Sequence, residues 1–262
     1  MDEYLEFAIS IAKYAGKEIT DKFSSIENIQ FKDDRTPVTE VDKKINHYLI
    51  EKVMEKYPNH SVIGEEEVSS NTSDYVWVCD PVDGTGMFTD SIPVCVFSLA
   101  LVVDGIVQVG VVYDPFLDNM YTAIRGEGAF CNREQIHVND KKLGDLGYRV
   151  NFEIWSRALA DTMEIAHDML PKARVSNIGS VAGSCMAIAS GKFSCDLFPG
   201  TSHGNCDIAA SSLIVEEAGG KVTDFYGNSQ RYDVDINGAI ISNGISHDEV
   251  LEYVKKYVKN NN

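Results

Sequence analysis

The sequence is short of basic residues relative to acidic ones. It contains 23 lysines and arginines against 40 aspartates and glutamates, which gives a formal net charge of −17. Proteins that hold nucleic acids through phosphate contacts need clustered lysine and arginine, so this balance argues against a nucleic-acid partner. An acidic protein that handles phosphate esters would instead need metal ions to reverse the local sign of the charge.

The sequence also lacks the features of export and of a membrane span. Its start, Met1-Asp2-Glu3-Tyr4, has no basic region or long apolar run, and no stretch approaches the roughly 18 apolar residues of a spanning helix. The six cysteines form no C-x-x-C pair, which is typical of reduced, mostly buried thiols. We therefore expect a cytoplasmic protein with no membrane partner.

The apolar patterning predicts an α+β fold. Helical spacing covers 2–23 and 42–57, and two β-rich runs, 94–103 and 106–113, are joined by a hairpin signal, Asp104-Gly105. The second half alternates predicted helices (156–170, 179–190, 207–218, 247–258) with short predicted strands (175–178, 193–198, 221–223, 238–242). Because the rhythm changes near 140–150, we predict an N-terminal half, 1–145, with an antiparallel sheet and a C-terminal half, 146–262, with a mixed sheet.

One stretch, Asp80-Pro81-Val82-Asp83-Gly84-Thr85, has the residue types of a metal site. It follows the apolar run 75–79, which predicts a buried strand, so two carboxylates emerge where that strand ends. Their repulsion raises one pKa unless a cation neutralises them, and Mg²⁺ prefers oxygen ligands of this kind. Taken alone, the stretch is equally compatible with an ordinary turn, because Asp, Pro and Gly are common turn residues.

Three ordered segments resemble the inositol monophosphatase family of the metal-dependent, lithium-sensitive phosphatase superfamily: Gly64-Glu65-Glu66, 77–85 and 206–220. The segment 36–42 extends the match to nearly the whole chain. The resemblance implies a layered α-β-α-β-α sandwich of the sugar-phosphatase type, a homodimer, and hydrolysis of a small phosphate monoester by a metal-activated water. Members of the superfamily also act on fructose 1,6-bisphosphate, 3′-phosphoadenosine 5′-phosphate and histidinol phosphate, so the substrate stays open.

The resemblance implies a metal cage of four carboxylates and one carbonyl. It would hold two or three Mg²⁺ ions through Glu65, Asp80, Asp83, Asp207 and the main-chain carbonyl of Val82. The first ion would be held by Glu65 and Asp80, and the second by Asp80, Asp83 and Asp207.

The same resemblance implies the catalytic and phosphate-binding groups. Thr85 would orient the attacking water, paired with Asp42, and either Asp42 or Glu65 would be the base. Phosphate would bind Asp83 and the amides of Gly84 and Thr85 at a helix start, where free amides and the helix dipole favour an anion.

The predicted substrate pocket departs from the family pattern. Its residues are Ser180, Val181, Gly200, Thr201 and His203. Gly200 stands where many inositol monophosphatases carry a substrate-contacting Glu, and Val181 replaces an alanine. The family usually has Thr-Asn or a similar pair after the Gly84-Thr85 step, where this chain has Gly86-Met87, and Cys206 replaces a tryptophan. We therefore expect inositol monophosphate not to be the best substrate.

Three other functions are compatible with parts of the sequence. His203 and Cys206 would suit a thiol hydrolase only if they lie within hydrogen-bond reach. The stretch 233–238 resembles the first half of a calcium-binding loop, but position twelve is Gly244 rather than Glu, and a strand is predicted at 239–242. A metal-binding homologue without activity is the third alternative, and the complete carboxylate set argues against it.

Overall fold

The computed structural model describes residues 1–25, 29–32, 36–71, 73–154, 160–200 and 204–258. Seven helices lie within this part of the chain: α1 (Asp2–Lys22), α2 (Glu40–Lys56), α3 (Thr85–Thr89), α4 (Thr162–Met169), α5 (Val181–Ala189), α6 (Gly204–Glu217) and α7 (His247–Lys255). The first two confirm the predicted amphipathic helices. Each buries one apolar face, with Ile11 and Ala15 on α1 and Ile45 and Leu49 on α2.

The larger sheet belongs to the first half of the chain. Its strands are β3 (Ser61–Gly64), β4 (Val68–Ser69), β5 (Tyr75–Asp83), β6 (Val96–Val103), β7 (Ile106–Asp114), β8 (Asn119–Ile124), β9 (Ala129–Cys131) and β10 (Glu134–Gln135), in the order β10-β9-β8-β7-β6-β5-β3-β4. All neighbours are antiparallel except β3 and β5, because β4 turns back from β3 before the chain returns as β5. A separate hairpin, β1 (Gln30–Phe31) and β2 (Pro37–Val38), lies in a segment for which no strand is predicted.

The smaller sheet belongs to the second half and is mixed. It consists of β11 (Arg149–Phe152), β12 (Arg174–Ser176), β13 (Cys195–Phe198), β14 (Lys221–Thr223) and β15 (Ala239–Ser242), in the order β12-β11-β13-β15-β14. The strand β11 pairs in parallel with both of its neighbours, and β15 is antiparallel to both of its own. No strand is predicted at 149–152, although β11 leads directly into the functional site.

Three apolar clusters order these elements into five layers. In the first cluster, α1 and α2 cover one face of the larger sheet through Trp77 and Leu99. In the second, α5 and α6 lie between the two sheets, against Val78 on one side and Ile241 on the other. In the third, α4 and α7 cover the outer face of the smaller sheet near Phe152. The predicted α-β-α-β-α sandwich is therefore confirmed.

In the second half, one predicted helix start is wrong and one predicted cap makes a different contact. Residues 156–159 of the helix predicted at 156–170 lie outside the described part of the chain. The observed helix α4 begins at Thr162, where the Asp161 side chain accepts the Glu164 N–H at 3.2 Å. Ser246 stands at the N-cap of α7 as expected. Its hydroxyl, however, accepts the Leu143 N–H at 2.8 Å rather than a helical amide, so it stabilises a loop instead of the helix.

The predicted division at 145/146 falls between β10 and β11. Because α5 and α6 pack against strands of both sheets, this division stays a prediction. All six cysteines are free thiols. Among the described helices, none is both long and apolar enough to cross a bilayer.

Candidate functional site

The two aspartates of the central stretch lie at the end of β5. Side chains alternate along a strand, so residues three apart normally point to opposite faces. The pairing with β6 is irregular here, since Asp80 lies opposite Ser98 and Asp83 lies opposite Val96. One extra residue in β5 forms a bulge, which lets both carboxylates reach one pocket. The Val82 N–H donates to Asp80 Oδ1 at 2.9 Å and fixes that side chain.

Asp207 completes a cluster of three carboxylates. It lies in the first turn of α6, more than 120 residues downstream of Asp83. One carboxylate oxygen of each of Asp80, Asp83 and Asp207 lies within 4.8 Å of the other two. This spacing allows one cation to contact all three groups, as the predicted second metal position requires.

The electrostatics of this cluster favour a cation. Burial, reinforced by neighbouring carboxylates, raises the pKa values of Asp80 and Asp207 well above their usual range. Burial also raises the pKa of Asp83 to about 6. Because a divalent cation would remove this repulsion and accept oxygen ligands, the donor set fits Mg²⁺.

Glu65 lines the same pocket but lies outside the tight cluster. Its Oε1 accepts the Lys32 ammonium at 2.7 Å, and the same ammonium lies 2.5 Å from Glu66 Oε1. Burial opposes the charge on Lys32, but Glu65 and then Glu66 raise the pKa of this ammonium above its usual value. Lys32 therefore neutralises Glu65, and a cation that binds Glu65 has to compete with it.

The buried Asn46, which the sequence analysis does not single out, holds the loop that carries Glu65. Its Oδ1 accepts the N–H groups of Glu66 and Glu67 at 3.2 Å each, and its Nδ2 donates to the Glu67 carbonyl at 3.1 Å. Gly64 makes this possible, because a Cβ there would stand 2.0 Å from Asn46 Oδ1. Asn46 could have been found from the sequence, because it is a polar residue on the apolar face of the predicted helix α2.

Asp83 is bound at the start of α5, so the two halves of the chain meet at this residue. The Val181 N–H donates to Asp83 Oδ1 at 3.1 Å, and the Ala182 N–H donates to Oδ2 at 2.9 Å. The Ser180 hydroxyl donates to the same Oδ2 and accepts the Gly183 N–H at 3.1 Å. Helix N-termini favour negative charge, so α5 holds Asp83 as a carboxylate in a fixed orientation.

Thr85 and Asp42 lie side by side below the cluster. The Thr85 hydroxyl donates to the Val82 carbonyl at 2.9 Å and lies 3.3 Å from Asp42 Oδ1. The other oxygen of Asp42 accepts the Thr39 N–H at 2.9 Å, within a capping box that begins α2. Burial raises the pKa of Asp42 to about 7, although the Thr39 bonds oppose this shift.

Gly84 forms the turn between β5 and α3. Its φ is +89°, and a Cβ would stand 2.7 Å from the Val94 carbonyl oxygen, so only glycine fits both requirements. The pocket wall continues through Thr85, Gly86 and Met87. The first amides of a helix have no acceptor inside that helix, which makes this wall suitable for an anion.

Only some of the predicted substrate-binding residues line the pocket in the part of the chain that the structure describes. Val181 lines the pocket, while Ser180 lies behind the wall and bonds Asp83. Gly200 follows β13 with a φ of +84° and is not among the described residues that line the pocket. Thr201 and His203 lie outside the described residues.

The structure weakens two of the alternative functions. Burial raises the pKa of the Cys206 thiol well above its usual range, and its Sγ lies 3.8 Å from the Ile63 carbonyl. A protonated, buried thiol is a poor nucleophile. The stretch 233–238 leads into strand β15, as predicted, and Asp233 is paired with Arg231 at 2.7 Å, which is not the arrangement of a calcium loop.

One wall of the pocket consists of residues that were not predicted from the sequence. The pocket has a volume of about 310 Å³, and Glu153, Ile154 and Asn177 line it from the second half of the chain. Burial raises the pKa of Glu153 to about 7, an effect to which the negative charge of Asp83 contributes. The only feature of the sequence that indicates Glu153 is its place directly after a short run, 149–152, in which polar and apolar residues alternate.

Comparison with known proteins identifies this chain as a phosphatase. The model of the inositol monophosphatase family matches residues 1–259. A fructose-1,6-bisphosphatase/inositol-1-monophosphatase of Thermotoga maritima is 31% identical over 264 residues, covering 97% of each chain. A solved Thermotoga maritima IMPase has a TM-score of 0.86 at 30% identity, covering 98% of each chain.

A second solved structure is described as an IMPase/NADP phosphatase in complex with Mg²⁺ and phosphate. It has a TM-score of 0.85 and 25% identity, and the match covers 99% of this chain and 98% of that one. The chain belongs to the inositol monophosphatase family. Members of this family are phosphatases and are generally dependent on Mg²⁺.

Proposed function

We propose that this protein hydrolyses a small phosphate monoester with Mg²⁺ and a water molecule as the attacking group. The observation that carries the proposal is the meeting of Asp80, Asp83 and Asp207 within 4.8 Å, on the same pocket as Glu65 and Thr85. Structural ion-pair clusters normally bring acids and bases together, whereas this cluster contains acids alone. Its chemistry is that of a site that holds cations.

Five groups would hold two or three Mg²⁺ ions. Glu65 and Asp80 would bind the first, and Asp80, Asp83 and Asp207 the second, with the Val82 carbonyl completing one site. The ions would supply charge neutralisation and activation of water. The protein would fix the ligands, because α5 holds Asp83 through two amides and Asn46 holds the loop of Glu65 through its side-chain amide.

Thr85 and Asp42 would handle the proton of the attacking water. Of the two candidate bases, Asp42 contacts Thr85. The other candidate, Glu65, is bound to Lys32. The Thr85 hydroxyl would orient the water, and the proton would move to Asp42 Oδ1. Asp42 has a pKa raised by burial to about 7, and a general base works best when its pKa lies near the working pH.

The phosphate would be held at the start of α3. Gly84 and Thr85 present main-chain amides there, next to the carboxylate of Asp83 and the cations that it would bind. Phosphoryl transfer needs mainly positioning and stabilisation of charge, so this arrangement requires no covalent nucleophile. The buried, protonated Cys206 agrees with that requirement.

The direct test is release of phosphate from a generic ester such as p-nitrophenyl phosphate. We expect hydrolysis that depends on Mg²⁺ and stops after chelation. A protein that binds Mg²⁺ but releases no phosphate from any ester would be the inactive homologue. Hydrolysis that persists without divalent cations would contradict the proposed site.

We propose that the substrate is a phosphorylated polyol, sugar or nucleotide-like ester other than inositol 1-phosphate. Gly200 offers no side chain for an inositol hydroxyl, and Val181 adds bulk to the pocket wall. A comparison of kcat/KM for inositol 1-phosphate, fructose 1,6-bisphosphate, 3′-phosphoadenosine 5′-phosphate and histidinol phosphate tests this. A preference of about tenfold or more for inositol 1-phosphate would contradict it, since one hydrogen bond is worth about that factor.

We also propose that the protein works in the cytoplasm as a homodimer, with no membrane partner and no nucleic-acid partner. Within each chain, residues 1–145 and 146–262 would form the two halves. The resemblance to the family supports the dimer, and the net charge of −17 argues against binding to nucleic-acid phosphates. Light scattering of the purified protein would give the oligomeric mass. A strictly monomeric, fully active protein would contradict the dimer without affecting the proposed chemistry.

A further inference from the structure

A buried carboxylate faces the pocket from the second half of the chain. Glu153 directly follows β11, and its N–H donates to the Leu197 carbonyl of β13 at 3.1 Å. Its relative exposure is only 3%, yet it lines the pocket together with Ile154 and Asn177. The backbone is therefore fixed by the smaller sheet, and the side chain points from that sheet toward the site.

Only one oxygen of this carboxylate has a partner in the described part of the chain. Asn151 Nδ2 donates to Glu153 Oε1 at 2.8 Å and to Asp196 Oδ1 at 3.1 Å. Asp196 also accepts the Ser184 hydroxyl, and Asn151 Oδ1 accepts the Ile178 N–H at 2.9 Å. Both oxygens of Asp196 and both polar atoms of Asn151 are therefore engaged, whereas no bond to Glu153 Oε2 is present among the described residues. Because Glu153 lines the pocket, this oxygen is available to accept a hydrogen bond from a ligand.

Two observations decide which part of a ligand this oxygen would meet. Among the described residues, the three carboxylates that lie within 4.8 Å of one another are those of Asp80, Asp83 and Asp207. Glu153 is outside this cluster and, unlike Glu65, is not among the metal ligands that the family resemblance implies. A carboxylate also repels phosphate, which has its own site at the start of α3. These two observations leave the alcohol part of a substrate as the group that Glu153 would meet.

Asn177 indicates the kind of group that this wall accepts. One N–H of its Nδ2 donates to the Phe152 carbonyl at 2.7 Å, which leaves Oδ1 as an acceptor and the second N–H as a donor. Glu153 and Asn177 then both offer acceptors, while Ile154 offers an apolar surface beside them. A group with hydrogen-bond donors on a carbon frame, such as the hydroxyls of a polyol or sugar, matches this wall.

We propose that Glu153 determines substrate specificity by accepting a hydrogen bond from a hydroxyl of the alcohol part of the substrate. This inference rests on the proposed phosphatase function and adds a contact that the predicted pocket residues do not include. The side chain acts on the choice of substrate and not on the reacting phosphorus, so its loss changes activity only for substrates that carry the hydroxyl.

The test compares wild type with Glu153→Gln on substrates with and without hydroxyls. Gln keeps the size of the side chain and can still accept from Asn151. We expect kcat/KM for the preferred polyol or sugar phosphate to fall about tenfold to hundredfold, the range for a hydrogen bond to a charged group. We expect less than a twofold change for propyl phosphate, which has no hydroxyl. Glu134→Gln, at an exposed position of β10, is the matched control.

A series of deoxy analogues identifies the contact. The ratio of kcat/KM in wild type to kcat/KM in Glu153→Gln should fall to about one for the analogue that lacks the contacted hydroxyl. An equal loss on all substrates would show a structural role and overturn the inference, as would no loss on any. A loss confined to ethanolamine phosphate would overturn it in favour of a cationic substrate. If the variant fails to fold, competitive inhibition of wild type by the product alcohol and by its deoxy forms provides the same comparison.

Failure of this inference can be told apart from failure of the proposed function. If wild type releases phosphate from propyl phosphate with Mg²⁺, the phosphatase function holds whatever Glu153 does. If wild type hydrolyses no ester with Mg²⁺, the proposed function itself is wrong.

Discussion

Asp83, at the end of β5 in the first half of the chain, accepts the main-chain N–H of Val181 in the second half at 3.1 Å. A second amide and the Ser180 hydroxyl complete this contact. A predicted metal ligand is thus oriented by a helix that begins almost 100 residues later. The site depends on the packing of the two halves, because neither half alone fixes this carboxylate.

Ser180→Ala tests the importance of that orientation. The variant loses the hydroxyl bond to Asp83 but keeps the two amide bonds. Loss of a group that orients a metal ligand typically weakens metal binding about tenfold to hundredfold. We expect the Mg²⁺ concentration for half-maximal activity to rise by about that factor, with kcat little changed at saturating Mg²⁺. Ser190→Ala, at the other end of α5, should leave the Mg²⁺ requirement unchanged.

Thr85 and Asp42 should act as a unit. We expect Thr85→Ala to lower kcat by about a hundredfold to ten-thousandfold, the usual range for a group that acts in proton transfer, while Thr85→Ser retains much of the activity. Asp42→Asn should cause a similar loss, together with a fall in thermal stability from the weakened capping box of α2. The double variant should be little worse than either single one. Additive losses would show that the two residues work independently.

Li⁺ should inhibit the enzyme by taking one Mg²⁺ position. This expectation follows from the family resemblance, and Gly86-Met87 in the pocket wall can weaken the effect. Phosphate release measured at fixed Mg²⁺ with rising Li⁺, and with Na⁺ as the control salt, should fall in the millimolar range. Clear dependence on Mg²⁺ without any response to Li⁺ would show that the cation positions differ from those of the family.

The buried His247 predicts a loss of stability in acid. Burial, aided by Lys221, lowers the pKa of His247 to about 4, and both ring nitrogens bond hydroxyls, those of Thr223 and Ser242. Between pH 6.5 and 4 the unfolded chain therefore binds a proton there that the folded protein does not bind. This contribution to stability is present above pH 6.5 and is lost as the pH falls toward 4.

His247→Gln isolates that contribution. The variant should be less stable than wild type at pH 7, and the difference in Tm between the two should shrink as the pH falls to 4. His137→Gln, at an exposed position, should show no such trend. A difference in Tm that stays constant across this pH range would contradict the assignment.

The sequence predicted the parts of the site that lie in long patterned elements. The apolar run before Asp80 indicated a buried strand, and the helical pattern around Asp207 placed that residue near a helix start, and both elements are present. The close approach of these residues came from the family resemblance, because separate patterns carry no information on how distant elements pack.

Three features could not be predicted from local patterns. The bulge between Asp80 and Asp83 depends on the register of β5 against β6, which involves the partner strand. Asn46 is a polar residue on the apolar face of a helix, and its role becomes clear only from its hydrogen bond to the loop that carries Glu65. The strand β11 is only four residues long, too short for a clear period, so Glu153 beyond it was missed as well.

The most direct test of the metal site is the hydrolysis of p-nitrophenyl phosphate by Asp83→Asn over a range of Mg²⁺ concentrations. The substitution removes a ligand charge while keeping the size of the side chain and one oxygen that can accept from the amides of α5. We expect activity to fall about a thousandfold or more at any Mg²⁺ concentration, corresponding to about 4 kcal/mol, with the fold retained. Asp74→Asn, at an exposed position before β5, should retain full activity. Activity like that of wild type in Asp83→Asn would contradict the carboxylate cage on which the proposed function rests.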